Sequence, residues 1–160
     1  MVPEKQKNPT DLPQNAEDMI CFAIYTAGHA LNRMYNPLLR KLGLTYPQYI
    51  TMTMLWQSGE ITVGALAERL KLETNTLTPL LKRLEISGHI ERRKSNDDAR
   101  QVYVSVTRKG KEIQKYSSDI TRCIIDATGY DVPVLEALVA SISQLRDQVT
   151  ESAEKLRSEG

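Results

Sequence analysis

The chain has 160 residues, 41% of them apolar and 26% charged, and a formal net charge of +1. That is enough chain to bury one hydrophobic core, and the near-neutral total excludes a polybasic protein that coats nucleic acid without specificity. No run approaches the roughly 18 consecutive apolar residues of a membrane span.

Residues 1–17 carry three prolines and no hydrophobic region. They read as a polar arm, neither a signal peptide nor a core element. The two cysteines, Cys21 and Cys123, lie 102 residues apart. Without an export signal they predict a reducing compartment, the cytoplasm, and no structural disulfide framework.

From Asp18 to Lys41 the apolar residues Ile20, Ile24, Ala27, Leu31, Met34 and Leu38 step by three and four, which predicts a helix. Asn15 or Asp18 is the expected cap, Gly43 the end, and Pro37 is expected to bend the helix or end it near Asn36. A second helix is predicted from Tyr46 or Pro47 to Trp56, before the break at Ser58-Gly59.

Two short helices follow. Thr62 is the expected cap of the first, with Leu66 and Leu70 inward, and Thr74 that of the second, with Leu77, Leu80, Leu81 and Leu84 inward and Gly88 closing it. The linker Lys71-Leu72-Glu73 is short enough for a helix-turn-helix. Residues 89–94 and 101–107 then alternate like strands around the turn SNDDA. A hairpin directly after a helix-turn-helix predicts a winged helix.

Towards the C-terminus, Ile113, Tyr116, Ile120, Ile124 and Ala127 form one helical stripe ended by Gly129. Asp131 and Pro133 open another, with Leu135, Leu138, Ile142, Leu145, Val149 and Leu156 inward and Ser152 in one apolar slot. A seam of about three heptads asks for a partner helix, and beside so small a winged helix it predicts a homodimer. The fold class is therefore mainly α with a small β-hairpin wing.

Charge is segregated along the chain. Residues 62–110 hold ten basic and six acidic side chains, a net of +4, whereas residues 111–160 hold six basic and nine acidic, a net of −3. A basic winged helix is the electrostatic footprint of DNA binding. Thr74, Asn75, Thr76 and Thr78 give the second helix of the pair a small, hydrogen-bonding face suited to the major groove, with Lys82 one turn on for a phosphate. In the hairpin Arg92, Arg93 and Arg100 are candidates for phosphate or minor-groove contact, and Asp98 for orienting a guanidinium. Pro79, just beyond the first turn, is expected to loosen that helix. His29 and His89 lack metal-ligand spacing, and no phosphate loop, triad or carboxylate pair stands out, so no metal, no cofactor and no enzyme activity are expected.

The stretch DDARQVYVSVTRKG (97–110) resembles the wing and following helix of the MarR family (multiple antibiotic resistance regulators), dimeric winged-helix repressors of bacteria. CFAIYTAGHALNRMYNPLLRKLGLTYPQY (21–49) and TNTLTPLLKRLE (74–85) resemble more narrowly the organic hydroperoxide resistance repressors of that family, and the second cysteine points to their two-cysteine type. The resemblance implies a DNA-binding repressor that releases a pseudo-palindromic double-stranded operator when organic hydroperoxide oxidises Cys21. It implies that Tyr35 and Tyr46 contact that cysteine and that Cys123 of the other subunit resolves it as a disulfide. Packing alone also accounts for Cys123, in which case a small thiol resolves Cys21. The implied organisation is an arm (1–17) and one domain (18–160), with 46–110 the winged helix and 18–45 and 111–160 the dimerisation helices.

Cys21 and Tyr35 are fourteen residues apart, about 40° around a helix but about 21 Å along it. A contact between them therefore joins two subunits with antiparallel first helices. Phenolic donors suit a thiolate, and Phe22, Ile24, Tyr25, Met54 and Trp56 suit an apolar peroxide. Two other functions stay open: a regulator of the same family released by a small aromatic ligand, with Cys21 a bystander, and a thiol peroxidase.

Overall fold

Local sequence sets most element boundaries. The computed structural model describes residues 15–96, 98 and 100–159. Most of the expected arm, and Asp97 and Ala99 of the wing turn, lie outside the described residues. The chain packs as two units divided between Gln114 and Lys115.

In the first unit, a 3-10 turn at Ala16–Asp18 leads into α1 (Ile20–Arg40), whose cap position is held by Met19 and not by Asn15 or Asp18. Of the two effects expected of Pro37, a bend or an end near Asn36, the end does not occur, since α1 runs on to Arg40. Pro37 sits one turn from the C-terminus, where it removes a single backbone bond, and fully buried Leu39 anchors the residues beyond it. Helix α2 (Tyr46–Ser58) starts with Pro47 in its first turn, and Gln48 Oε1 accepts the Thr45 backbone N–H at 2.8 Å. Gly59 ends it with φ +69°, a conformation that favours glycine.

A two-residue strand, β1 (Ile61–Thr62), was not foreseen; a pair so short has no periodicity of its own. Helix α3 (Val63–Leu70) is capped by Thr62, whose hydroxyl accepts the Ala65 N–H at 3.2 Å. Lys71 turns left-handed, and α4 (Thr74–Ile86) follows. Glu73, not Thr74, holds its cap position, because the turn needs all three linker residues and leaves Thr74 already helical. Leu77, Leu81 and Leu84 are buried as expected, whereas Leu80, like Leu70 of α3, is only half-buried.

Strands β2 (Ile90–Lys94) and β3 (Val102–Val106) pair antiparallel with Arg92 opposite Val104 and Arg93 opposite Tyr103, and the sheet order is β1-β3-β2. The buried core gathers Leu39, Met52, Leu55, Leu66, Leu77, Leu81, Leu84, Ile90 and Val104. Trp56 Nε1 donates to the Gly110 carbonyl at 3.0 Å, joining α2 to the short helix α5 (Arg108–Glu112).

The stripe expected as one helix after residue 113 is broken: a 3-10 turn, Gln114–Tyr116, separates α5 from α6 (Ser117–Thr128). A three-residue turn still brings Ile113 and Tyr116 round in step, so the apolar spacing hides the break. In the second unit Gly129 closes α6 in the left-handed region. Helix α7 (Val132–Ser158) follows, and Asp131 caps it by accepting the Val134 N–H at 3.3 Å. No described residue of α7 is buried, and Leu138, Ile142, Val149 and Leu156 are exposed along it.

Candidate functional site

Two groups of residues carry chemistry: the face made by α4 and the wing, and the cysteine and tyrosines of α1 and α2. On α4, Thr74, Asn75, Thr76, Thr78 and Lys82 are all exposed, over the first two turns and a little beyond. The Thr78 hydroxyl donates to the Thr74 carbonyl at 2.7 Å, and Thr76 Oγ1 donates to Asn75 Oδ1 at 3.3 Å. Pro79 has no N–H to offer the Asn75 carbonyl, yet α4 runs seven residues past it to Ile86.

The wing arginines divide. Arg92 lies on the inward face of β2, opposite fully buried Val104, and its Nε and Nη2 donate to Glu85 Oε2 of α4 at 3.0 and 2.5 Å. Those hydrogen bonds hold the Glu85 carboxyl below the usual range. Arg93 lies on the outward face, 3.0 Å from Glu60 Oε1 and with its guanidinium 5.3 Å from the centre of the Tyr103 ring. Arg100 projects, its side chain 96% exposed, with Asp98 Oδ1 3.6 Å from its Nε and accepting its backbone N–H at 3.0 Å. So Asp98 shapes the turn that presents Arg100. The sequence marked all three arginines alike; that Glu85 and Glu60 hold two of them was legible only in the fold. Between α3, α4 and the wing lies a groove of about 540 Å3 lined in part by Thr74, Thr78, Arg92 and Arg100.

On the second group, α1 brings Tyr35 and α2 brings Tyr46 to a ring-centre distance of 4.6 Å, with Tyr49 6.0 Å from Tyr35. Burial, then the neighbouring Tyr46 and Tyr49 hydroxyls, pushes the Tyr35 phenol up to about 12, and burial raises Tyr46 as well. Both phenols therefore stay protonated at neutral pH and have an O–H to donate. Tyr49 joins this cluster unannounced by the sequence reading, although LTYPQY carries it three residues after Tyr46.

Cys21 is exposed in the first turn of α1, among the exposed apolar side chains Ile20, Phe22, Ile24 and Tyr25. Because α1 runs uninterrupted between them, Cys21 and Tyr35 of one chain stay about 21 Å apart along the axis. Tyr25 meets His29 edge-on at 4.4 Å. Cys123 is exposed on α6, in the second unit.

Known proteins are similar to this chain in sequence and fold. Residues 33–116 match the family described as transcriptional regulator SarA/Rot. The chain is 38% identical over 139 residues to the HTH-type transcriptional regulator TtmR of Methylorubrum extorquens (strain PA1), covering 87% of this chain and 71% of that one. It is 35% identical over 135 residues to the organic hydroperoxide resistance transcriptional regulator of Bacillus subtilis (strain 168), covering 82% and 92%. Among solved structures, reduced AbfR bound to DNA aligns with a TM-score of 0.69 at 27% identity over 82% of this chain and 91% of that one. AbfR, from Staphylococcus epidermidis, has also been solved with its disulfide formed; that structure aligns with a TM-score of 0.59 at 31% identity, over 79% and 88%. With its helix-turn-helix, three-stranded wing and these relatives, the chain belongs to the SarA/Rot/MarR family of winged-helix transcriptional regulators.

Proposed function

We propose that the chain is a homodimeric, cytoplasmic repressor that holds operator DNA while Cys21 is reduced and releases it when an organic hydroperoxide oxidises that cysteine. The observation that carries this is the pair of neutral phenols, Tyr35 and Tyr46, set at the far end of the helix that bears Cys21. Two antiparallel copies of α1 would bring each Cys21 to the other copy's phenols. The relative from Bacillus subtilis, named for organic hydroperoxide resistance, and the reduced and disulfide forms of AbfR support the same reading.

In the chemistry, the Cys21 thiolate attacks the outer peroxide oxygen and the O–O bond breaks. Sulfur is oxidised by two electrons to a sulfenic acid, and the peroxide leaves as an alcohol after taking a proton. The Cys123 thiol of a second copy then displaces water from the sulfenic acid to form a disulfide. Losing the thiolate removes the acceptor of the phenol hydrogen bonds, which biases the dimer towards a spacing that no longer matches two major grooves about 34–36 Å apart. Thr74, Asn75, Thr76, Thr78, Lys82 and Arg100 face the DNA.

The test is Cys21→Ser, which should bind the operator like the parent and ignore organic hydroperoxide. A Cys21→Ser protein that peroxide still releases would refute the assignment. The groove bordered by Arg92 and Arg100 favours one second reading, release by a small anionic aromatic ligand. In that case the Cys21→Ser protein leaves DNA on adding the ligand and the parent does not respond to peroxide.

A further inference from the structure

Resting on the reading that the wing meets DNA, we propose that Arg92 is a positioning residue: Glu85 grips it, and the pair fixes the wing against the recognition helix. Arg92 gives no charge to a phosphate.

Strand alternation comes first. Ile90 and Arg92 share the inward face of β2, opposite Val106 and Val104, and Ile90 and Val104 are buried in the core. The Arg92 side chain is 27% exposed, against 55% for Arg93 and 96% for Arg100. An arginine whose stem lies along the core and whose fork closes on a carboxylate is not free to reach a phosphate. Both of its bonds end on Glu85, in the last turn of the helix that presents Thr74–Thr78. The tie therefore spans the recognition helix and the wing directly.

The outward face repeats the device. Arg93 is tied to Glu60, just before β1, and packs on Tyr103. Strand β2 is thus pinned from both faces, by Glu85 of α4 and by Glu60 of the turn between α2 and β1. Of the wing's basic residues, Arg100 at the tip and Lys94 at the strand end are left to face DNA, so the wing's usable charge is smaller than its count of basic residues suggests.

The experiment uses the full-length reduced protein and a duplex of about 30 base pairs, about three helical turns, enriched from a random library by the wild-type chain. That enrichment tests the DNA reading on its own; ratios among variants test the tie. Affinity is measured against salt for wild type, E85Q, R92Q, E85R/R92E and R100Q. E85Q frees Arg92 and adds positive charge to the face, yet it should weaken binding several-fold with an unchanged salt slope. R92Q should also leave the slope unchanged, whereas R100Q should lower it by about one per half-site. The swapped pair E85R/R92E should recover most of the affinity that R92Q loses. Tighter or unchanged binding by E85Q, or a slope reduced by R92Q as much as by R100Q, would overturn the proposal. Should either single variant lose its fold, the swapped pair decides: affinity near wild type upholds the tie and failure to recover refutes it.

Discussion

Tyr35 and Tyr46 reach each other from different helices, their ring centres 4.6 Å apart, across the loop that joins α1 to α2. Burial raises the Tyr35 phenol from 10.0 to about 12. In the folded chain it keeps its proton between those values while the unfolded chain loses it. The stabilising contribution is therefore complete below pH 10 and lost as pH rises through about 12. Ultraviolet titration of phenolate should show one tyrosine ionising near 12, absent in Tyr35→Phe. The same variant should respond to organic hydroperoxide more slowly without becoming blind to it, as followed by the rate of release from DNA.

His89 is buried at the base of the wing, with Nδ1 2.7 Å from Ser87 Oγ. Burial first, and the Lys109 ammonium second, lower its pKa from 6.5. Because the unfolded chain takes up the proton first, His89 contributes stability that is present above pH 6.5 and lost as pH falls through the folded value. Thermal unfolding between neutral pH and about pH 5, the histidine range, should show a decline that His89→Gln flattens. An equal decline in the variant would place its origin elsewhere.

Gly110 has no room for a side chain: an added Cβ would overlap the His89 carbonyl and press on Val106. Its N–H is also held by Thr107 Oγ1 at 3.1 Å, and its carbonyl by Trp56. Gly110→Ala should cost about 1–3 kcal/mol, the usual range for overpacking, measured by denaturant unfolding. A neutral result would mean that the start of α5 shifts freely.

Arg100 is the exposed tip of the wing, and Asp98 shapes its turn through two contacts. Arg100→Ala should weaken operator binding and leave the dimer mass intact. Asp98→Ala should weaken binding less, with no fall in salt slope, because it removes order and not a phosphate contact. The check is fluorescence anisotropy across a salt series. A larger loss in Asp98→Ala would reverse these roles.

Local chemistry was readable wherever cause and effect sit a few residues apart. Thr62 and Asp131 cap the helices they precede, the three-residue linker makes a helix-turn-helix, and the alternation at Val102, Val104 and Val106 is a strand. Where a distant partner decides, the sequence was silent. Ile61–Thr62 is a strand only because β3 lies beside it, and Arg93 meets a carboxylate 33 residues away. Pro37 obeyed burial of Leu39 more than its own helix-breaking habit. The candidate DNA residues of α4 are all exposed, while Arg92 turned inward for a reason held in the β2–β3 register.

The entrance to α1 has one more implication. Met19 fills its cap position without any side-chain bond to the first turn, in contrast with Thr62 on α3 and Asp131 on α7. An uncapped end unwinds cheaply, by local opening that leaves the rest of the fold undisturbed. Cys21 stands on that turn. Grafting a serine or aspartate cap in place of Met19 should slow amide exchange at Cys21 and Phe22, turning helix fraying into an adjustable gate on how fast the thiol meets its oxidant.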